Sequence, residues 1–255
     1  MQVGRFFGEI NQDGNWARLA LIELLASNRK ISLMSVEDSV EFADNPEPRC
    51  PCVLLLDTSA SMTGEPIRAL QEGIRAFKEH IMQDALAAKR VDVAIVTFDS
   101  AVNVVQDFVT VDHFNPPNFS QLGPRTIMSA GISRALELVK ARKVQYGESG
   151  IQYYRPWVFM ITDGAPTEAE SEINNAVEQI RSAEATKQIS FWAVGTDTAN
   201  MDVLRKISTA RGPVKLNGLD FRSMFEWLSS SMKRVSVSRA GEQVPLQAVG
   251  WGSAG

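Results

Sequence analysis

The chain has 255 residues, of which 44% are hydrophobic and 22% are charged, a balance typical of a globular protein with a sizeable core. Its formal net charge of -4 argues against nucleic-acid binding, because phosphate recognition requires clustered positive charge. Length and composition therefore indicate one large globular domain or two small ones.

The N-terminal region carries the weakest pattern in the chain. We predict a short helix over residues 15–28 and a strand over residues 30–36. The longest apolar run, residues 19–26, is interrupted by Glu23, is too short to span a membrane and lacks the flanks of a secretion signal. We therefore expect an N-terminal extension over residues 1–40, no membrane association and a cytoplasmic location.

An alternation of apolar strands and amphipathic helices begins at Cys52. The predicted strands cover residues 53–56, 91–98, 102–109, 157–162, 189–194 and 214–216, and the predicted helices cover 67–81, 128–146, 168–185, 201–210 and 221–232. The pattern predicts an α/β fold, with a single Rossmann-like domain over residues 41–235. We expect a mostly parallel central sheet, helices on both faces and one antiparallel edge strand. Periodicity is lost afterwards, so we expect a flexible C-terminal tail over residues 236–255.

Polar side chains follow the first and the fourth apolar strands. Asp57, Ser59 and Ser61 alternate after the first strand, a spacing that places three oxygens on one side of an extended loop. Asp163 follows the fourth strand, and Thr126 lies at the head of a helix after a Gly-Pro turn. Ligands of such sheets bind beyond the carboxyl ends of the strands, where these five side chains would converge.

The donor set of this predicted site consists of two carboxylates and three hydroxyls. Hard oxygen ligands of this kind suit Mg²⁺ or Mn²⁺, which usually keep some of their waters. Each residue taken alone is more simply explained as a helix cap or a turn residue. Their joint arrangement favours a metal site.

An enzyme is the alternative function. Asp57 has the position of an aspartate that accepts a phosphoryl group beside Mg²⁺, as in phosphotransfer enzymes or phosphatases. Such chemistry calls for a second acid two residues later or a lysine after a later strand, whereas position 59 is serine and no lysine directly follows residues 157–162. The nucleophile-elbow and P-loop motifs are also absent from the sequence. We therefore predict a binding protein without catalytic activity.

Several motifs resemble a known family. The segment DTSAS at 57–61, Thr126 and the segment ITDG at 161–164 resemble the metal-ion-dependent adhesion site of von Willebrand factor A domains. More narrowly, DNPEPRCPCVLLLDTSASM, YYRPWVFMITDGAPT and FxxxFxWLSSS look like the bacterial TerY-like subgroup. The resemblance extends over about residues 41–250.

The resemblance implies roles for the matching residues. Ser59 and Ser61 would bind the metal directly, and Asp57, Thr126 and Asp163 would bind it directly or through water. A carboxylate from a protein partner would complete the coordination of the metal. The TerY-like subgroup further implies an adaptor in a tellurite-resistance or stress-response system, with a protein kinase or a PP2C-type phosphatase among its partners.

We assign structural roles to several other polar residues and consider two alternative roles for Arg125. Cys50 and Cys52 are interpreted as free, buried thiols in a reducing compartment. Asp99 also follows a strand, but such residues commonly form turns, and we leave it out of the site. The run 140–143 is interpreted as a solvated helix end. Arg125, next to the predicted ligand loop, either repels the metal or helps to hold an acidic ligand.

Overall fold

A computed structural model describes residues 41–120, 122–163, 165–208, 210–238 and 244–254. The chain divides into two compact units, residues 1–44 and residues 45–255. Of the first unit only residues 41–44 are described, and they are helical. The helix predicted over 15–28 and the strand predicted over 30–36 lie outside the described residues.

The second unit is built from seven strands and six helices among the residues that the structure describes. The strands are β1 (Cys50–Asp57), β2 (Val91–Phe98), β3 (Val102–Thr110), β4 (Trp157–Thr162), β5 (Ser190–Gly195), β6 (Val214–Leu216) and β7 (Gly252–Ala254). The helices are α1 (Glu65–Met82), α2 (Ala85–Arg90), α3 (Met128–Glu148), α4 (Glu170–Ala185), α5 (Met201–Ile207) and α6 (Phe221–Val237).

The strands form one sheet in the order β3-β2-β1-β4-β5-β6-β7. Strands β2, β1, β4, β5 and β6 are parallel, which confirms the predicted α/β fold with a mostly parallel sheet. One antiparallel edge strand was expected, whereas the described sheet has one at each edge, β3 beside β2 and β7 beside β6. The sequence Gly252–Ala254 has no alternating apolar pattern, so nothing in it predicts the second one.

The sheet separates two apolar layers. Every residue of β1 is buried, as expected for a central parallel strand covered on both faces. Leu54 and Leu56 face a layer that includes α1, α2 and α6, whereas Val53 and Leu55 face a layer that includes α3, α4 and α5. The apolar residues that predicted the first helix, Ile67, Leu70, Ile74, Phe77 and Ile81, are all buried.

The C-terminal segment departs from the prediction. Helix α6 continues to Val237, and β7 pairs with β6. Trp251 is 2% exposed, and its carbonyl oxygen accepts a hydrogen bond from the Asn217 amide at 3.1 Å. The flexible tail predicted over residues 236–255 is therefore wrong for its described part, because an aromatic anchor and a strand pairing hold that part against the sheet.

One charged residue predicted to be solvated is buried. Arg142 is 5% exposed, and its Nε donates a hydrogen bond to Asp92 Oδ2 at 3.0 Å. The hydroxyl of Tyr146 donates to the same carboxylate oxygen. Within residues 140–143 the arginine thus turns inward to neutralise an aspartate of β2, while Lys140 remains exposed. In the described part of the chain, no helix is long and apolar enough to cross a membrane.

Candidate metal site

The candidate site lies where β1 and β4 end. The two strands are neighbours and parallel, with Leu56 opposite Ile161, so the residues that follow them meet at one edge of the sheet. Asp57 ends β1, and a short 3-10 turn at Ala60–Met62 reverses the chain before α1. Asp163 directly follows β4. The fold thus places the two predicted carboxylates side by side.

Hydrogen bonds connect four of the five predicted ligands. The hydroxyls of Ser59 and Ser61 are 2.9 Å apart, and Ser61 Oγ donates to Asp163 Oδ1 at 2.7 Å. The Ser59 amide donates to Asp57 Oδ1 at 2.9 Å. These four residues therefore form one continuous group of oxygen atoms.

Thr126 occupies a neighbouring loop. It is buried, and its amide donates to Thr167 Oγ1 at 3.1 Å while its carbonyl oxygen accepts from the Thr167 amide at 3.1 Å. Among the described residues, its hydroxyl makes no hydrogen bond with Asp57, Ser59, Ser61 or Asp163. Its role as a fifth ligand stays a prediction.

The two carboxylates carry uncompensated charge. Asp57 is 0% and Asp163 is 4% exposed, and burial raises the pKa of both above the ordinary value of 3.8. The pKa of Asp57 is raised further by the charge of Asp163, while hydrogen bonds from Ser59 and Thr162 lower it. No Lys, Arg or His of the described residues forms an ion pair with either carboxylate. Two buried like charges without a counter-ion are costly, and a cation would remove that cost.

The donor set fits a hard divalent cation. It consists of carboxylate and hydroxyl oxygens, which suit Mg²⁺ or Mn²⁺ better than metals that prefer imidazole or thiolate. The described residues contain no group of three or more His, Cys, Asp or Glu placed to hold a metal. That finding is compatible with the site, since only two of its five predicted ligands belong to those residue types.

The structure adds residues that the sequence pattern did not reveal. Thr162 donates its hydroxyl to Asp57 Oδ2, and Thr198 Oγ1 donates to the carbonyl oxygen of Asp163 at 2.8 Å. Asp99 behaves as the predicted turn residue, accepting from the Ala101 amide at 3.0 Å, but it also accepts from Thr58 Oγ1 at 3.0 Å. The sequence signal for such contacts is position alone, since Thr162 ends β4, Asp99 directly follows β2 and Thr198 lies in the loop after β5.

Arg125 lies on the rim of the site. Its side chain is exposed, and among the described residues it forms no ion pair or hydrogen bond. Its amide donates to Ser100 Oγ at 3.2 Å, which fixes the backbone beside Thr126.

Comparisons with known proteins cover most of the chain. The sequence profile described as von Willebrand factor type A domain matches residues 52–226. No curated protein sequence matches the chain. A von Willebrand factor type A protein from Catenulispora acidiphila has a similar solved structure, with a TM-score of 0.57 and 14% identity over 73% of this chain and 43% of that one.

Two further solved structures are similar. The vWF domain of the type V pili tip protein Mfa5 from Porphyromonas gingivalis matches with a TM-score of 0.56 and 10% identity, over 78% of this chain and 99% of that one. The pilus adhesin SpaC from Lactobacillus rhamnosus GG matches with a TM-score of 0.59 and 13% identity, over 73% of this chain and 30% of that one. The chain spans less than half the length of SpaC and of the Catenulispora protein. At these identities the similarity concerns the fold.

Proposed function

This chain belongs to the von Willebrand factor type A domain family, and from that premise we propose that it is a metal-dependent protein-protein interaction module. Domains of this family commonly act in protein-protein interaction, and some of them use a divalent metal at a metal-ion-dependent adhesion site. In the proposal, Mg²⁺ or Mn²⁺ is held by Asp57, Ser59, Ser61, Thr126 and Asp163. A carboxylate of the partner completes the coordination.

One observation carries this proposal. Asp57 and Asp163 are buried next to each other, joined through the hydroxyls of Ser59 and Ser61, and no cation of the described residues neutralises them. A bound divalent ion would supply the positive charge that attracts a partner's carboxylate. Thr162 holds the carboxylate of Asp57 and Thr198 holds the main chain at Asp163, which supports both aspartates before any ion binds.

The geometry favours binding over phosphoryl transfer at Asp57. Its carboxylate is fully buried, one oxygen accepts from the Ser59 amide and the other accepts from the Thr162 hydroxyl. A nucleophile must be reachable by its substrate, whereas a buried carboxylate oxygen that accepts one hydrogen bond keeps a second lone pair for a small cation. The proposal therefore assigns Asp57 to holding a metal and assigns no catalytic residue.

The proposal also names a specific class of partner. We propose an adaptor in a TerY-like tellurite-resistance or stress-response system in the cytoplasm, binding a protein kinase or a PP2C-type phosphatase through an acidic side chain. Support comes from the resemblance of residues 44–62, 153–167 and 221–231, which include segments outside the predicted ligands. Arg125 would assist by attracting the partner's acidic residue from the rim.

Metal binding is the first test. Calorimetric titration with Mg²⁺ and Mn²⁺ should give one site in the wild type and no measurable binding in Ser59→Ala/Ser61→Ala. The matched control is Ser171→Ala/Ser182→Ala, since both serines are exposed on α4. Equal affinities in all three proteins would exclude the proposed ligands.

Partner capture is the second test. The tagged protein should co-purify with a kinase or PP2C-type phosphatase in Mg²⁺, and should lose at least about tenfold of it in EDTA or as Ser59→Ala/Ser61→Ala, because the metal supplies the central contact. Arg125→Glu should reduce recovery partly, since it sets like charges against each other. Equal recovery under all conditions would show that binding does not pass through the metal.

A further inference from the structure

A carboxylate outside the proposed ligand set joins two of the three segments that carry the ligands. Asp99 follows β2, and its Oδ2 accepts a hydrogen bond from Thr58 Oγ1 at 3.0 Å. Thr58 stands between the proposed ligands Asp57 and Ser59 and is buried. Its amide also donates to the Phe98 carbonyl oxygen at 3.0 Å, so the end of β2 holds this ligand loop by both main chain and side chain.

The same aspartate holds the loop that carries Thr126. The carbonyl oxygen of Asp99 accepts from the Ile127 amide at 2.9 Å, one residue after the proposed ligand. Gly123 lies directly against the Asp99 side chain, because a Cβ at Gly123 would come within 2.7 Å of Asp99 Cγ. The Gly123 amide in turn donates to the Thr58 carbonyl oxygen at 3.2 Å, which closes the contact between the two loops.

The β2–β3 turn fixes Asp99 itself. Its Oδ1 accepts from the Ala101 amide at 3.0 Å, and its own amide donates to the Ala101 carbonyl oxygen at 3.0 Å. Both carboxylate oxygens are therefore engaged with protein donors, one within the turn and one at Thr58. A carboxylate anchored in this way is fixed in orientation and in turn fixes the groups that donate to it, Thr58 and the turn at Ala101.

From these contacts we propose that Asp99 is a positioning residue of the metal site, an inference that rests on the proposed function. It holds the Thr126 loop against the loop of Asp57, Ser59 and Ser61. The ligands of these two segments are then already in place, and metal binding does not have to order the loops. Residues that support metal ligands in this way typically change metal affinity by about 10- to 100-fold when they are replaced.

The test uses the full chain and conservative replacements. Asp99→Asn keeps the shape but removes the charge and one acceptor oxygen, and Thr58→Val removes the hydroxyl that it holds. Calorimetric titration with Mg²⁺ and Mn²⁺ should show about 10- to 100-fold weaker binding for Asp99→Asn and a weakening for Thr58→Val. The double variant should bind the metal about as weakly as Asp99→Asn alone, because both changes break the same contact. The two single effects should therefore not add.

A matched control separates positioning from general stability. Asp84 also accepts from two backbone amides, those of Leu86 and Ala87, but it caps α2 before β2 begins, at the opposite end of the strands. Asp84→Asn should leave metal affinity unchanged. Hydrogen exchange of the metal-free protein supplies a second measurement, with faster exchange of the Gly123 amide, which donates to Thr58, expected in Asp99→Asn and not in Asp84→Asn.

The outcomes distinguish this inference from the proposed function. If the wild type binds neither Mg²⁺ nor Mn²⁺, both are overturned. If the wild type binds metal and Asp99→Asn binds it equally well, the proposed function stands and the positioning role of Asp99 is overturned.

Discussion

At the scale of single residues, the candidate site buries two carboxylates at a cost in the stability of the metal-free protein. Asp57 and Asp163 keep two like charges buried in the metal-free protein, and burial raises the pKa of both. Groups that would destabilise a fold are retained mainly where a ligand needs them. The metal-free protein should therefore gain stability when one of these charges is removed.

We expect Asp163→Asn to melt at a higher temperature than the wild type when no metal is present. The expected gain is about 1 kcal/mol, or roughly 2–4 °C for a domain of this size. The raised pKa of Asp163 means that its stabilising contribution is present below pH 3.8 and is lost as the pH rises through the folded-state pKa. The advantage of the asparagine variant should accordingly grow as the pH rises from 3.8 through the raised folded-state pKa of Asp163.

Thermal unfolding in EDTA at several pH values measures this effect. Asp197→Asn is the control, because Asp197 is exposed and its ion pair with Lys215, at 3.4 Å, lies in solvent, and it should change stability by less than about 0.5 kcal/mol. A metal-free Asp163→Asn protein that melts below the wild type would contradict the expectation. Added Mg²⁺ should raise the melting temperature of the wild type and leave that of Asp163→Asn unchanged.

The sequence predicts that the two aspartates converge better than it predicts the contacts around them. The positions of Asp57 and Asp163 follow from strand ends, and the structure brings them together as expected. The contacts of Thr198 and Asp99 depend on loops that meet only in the fold. The burial of Arg142 could have been inferred only from a distant residue. Asp92 lies within the apolar strand β2, and a buried carboxylate there needs a buried partner.

At the scale of elements, helix α3 is capped by a residue outside it. Ile127 occupies its N-cap position and has no polar side chain to offer. The carboxylate of Glu168 instead accepts from the Ser129 amide, at 3.1 and 3.0 Å to its two oxygens, and from Ser129 Oγ at 2.6 Å. The loop after β4 therefore fixes the start of α3, beside the Thr126 loop.

Removing this cap should loosen the first turn of α3. We expect Glu168→Ala to lower the free energy of unfolding by about 1 kcal/mol, the usual cost of losing an N-terminal cap, and to speed hydrogen exchange at Ser129. Glu172→Ala is the control, because Glu172 accepts from the Ala169 amide at 3.0 Å and caps α4. Equal exchange rates at Ser129 in both variants would refute the role of Glu168.

Element length influenced what the sequence pattern could predict without deciding it, since the three-residue strand β6 was predicted and the equally short β7 was not. The long helices α1, α3 and α6 span several turns, so their apolar stripes identify them. Helix α2 has six residues and β7 has three, and the pattern predicted neither. Such short elements form through contacts with the rest of the fold, which no local periodicity records.

At the scale of the whole molecule, the C-terminal segment completes one edge of the sheet. Trp251 packs against Trp227 with ring centroids 5.7 Å apart, and Trp227 contacts Trp192 at 5.3 Å. Trp192 stacks on Trp157 at 5.6 Å, which links the segment to β4 and β5. The Trp227 indole also donates to the Gln247 carbonyl oxygen at 3.1 Å.

We expect Trp251→Ala to destabilise the protein by about 3–5 kcal/mol, as buried tryptophan replacements do. Trp251→Phe is the control, because it keeps a ring in the cluster and removes no hydrogen bond to a described residue. Chemical unfolding followed by tryptophan fluorescence measures both variants. If Trp251→Ala unfolds at the wild-type denaturant concentration, the segment does not contribute to the stability of the fold.

The two apolar layers have a consequence for how such a chain changes over evolutionary time. Leu54 and Leu55 are neighbours in β1, yet their side chains belong to separate layers. A substitution in one layer needs compensation only from residues of that layer, because packed side chains couple mainly with those they touch. Each face can therefore change in sequence independently of the other. A fold organised in this way can persist at the 10–14% identity that separates this chain from the similar solved structures.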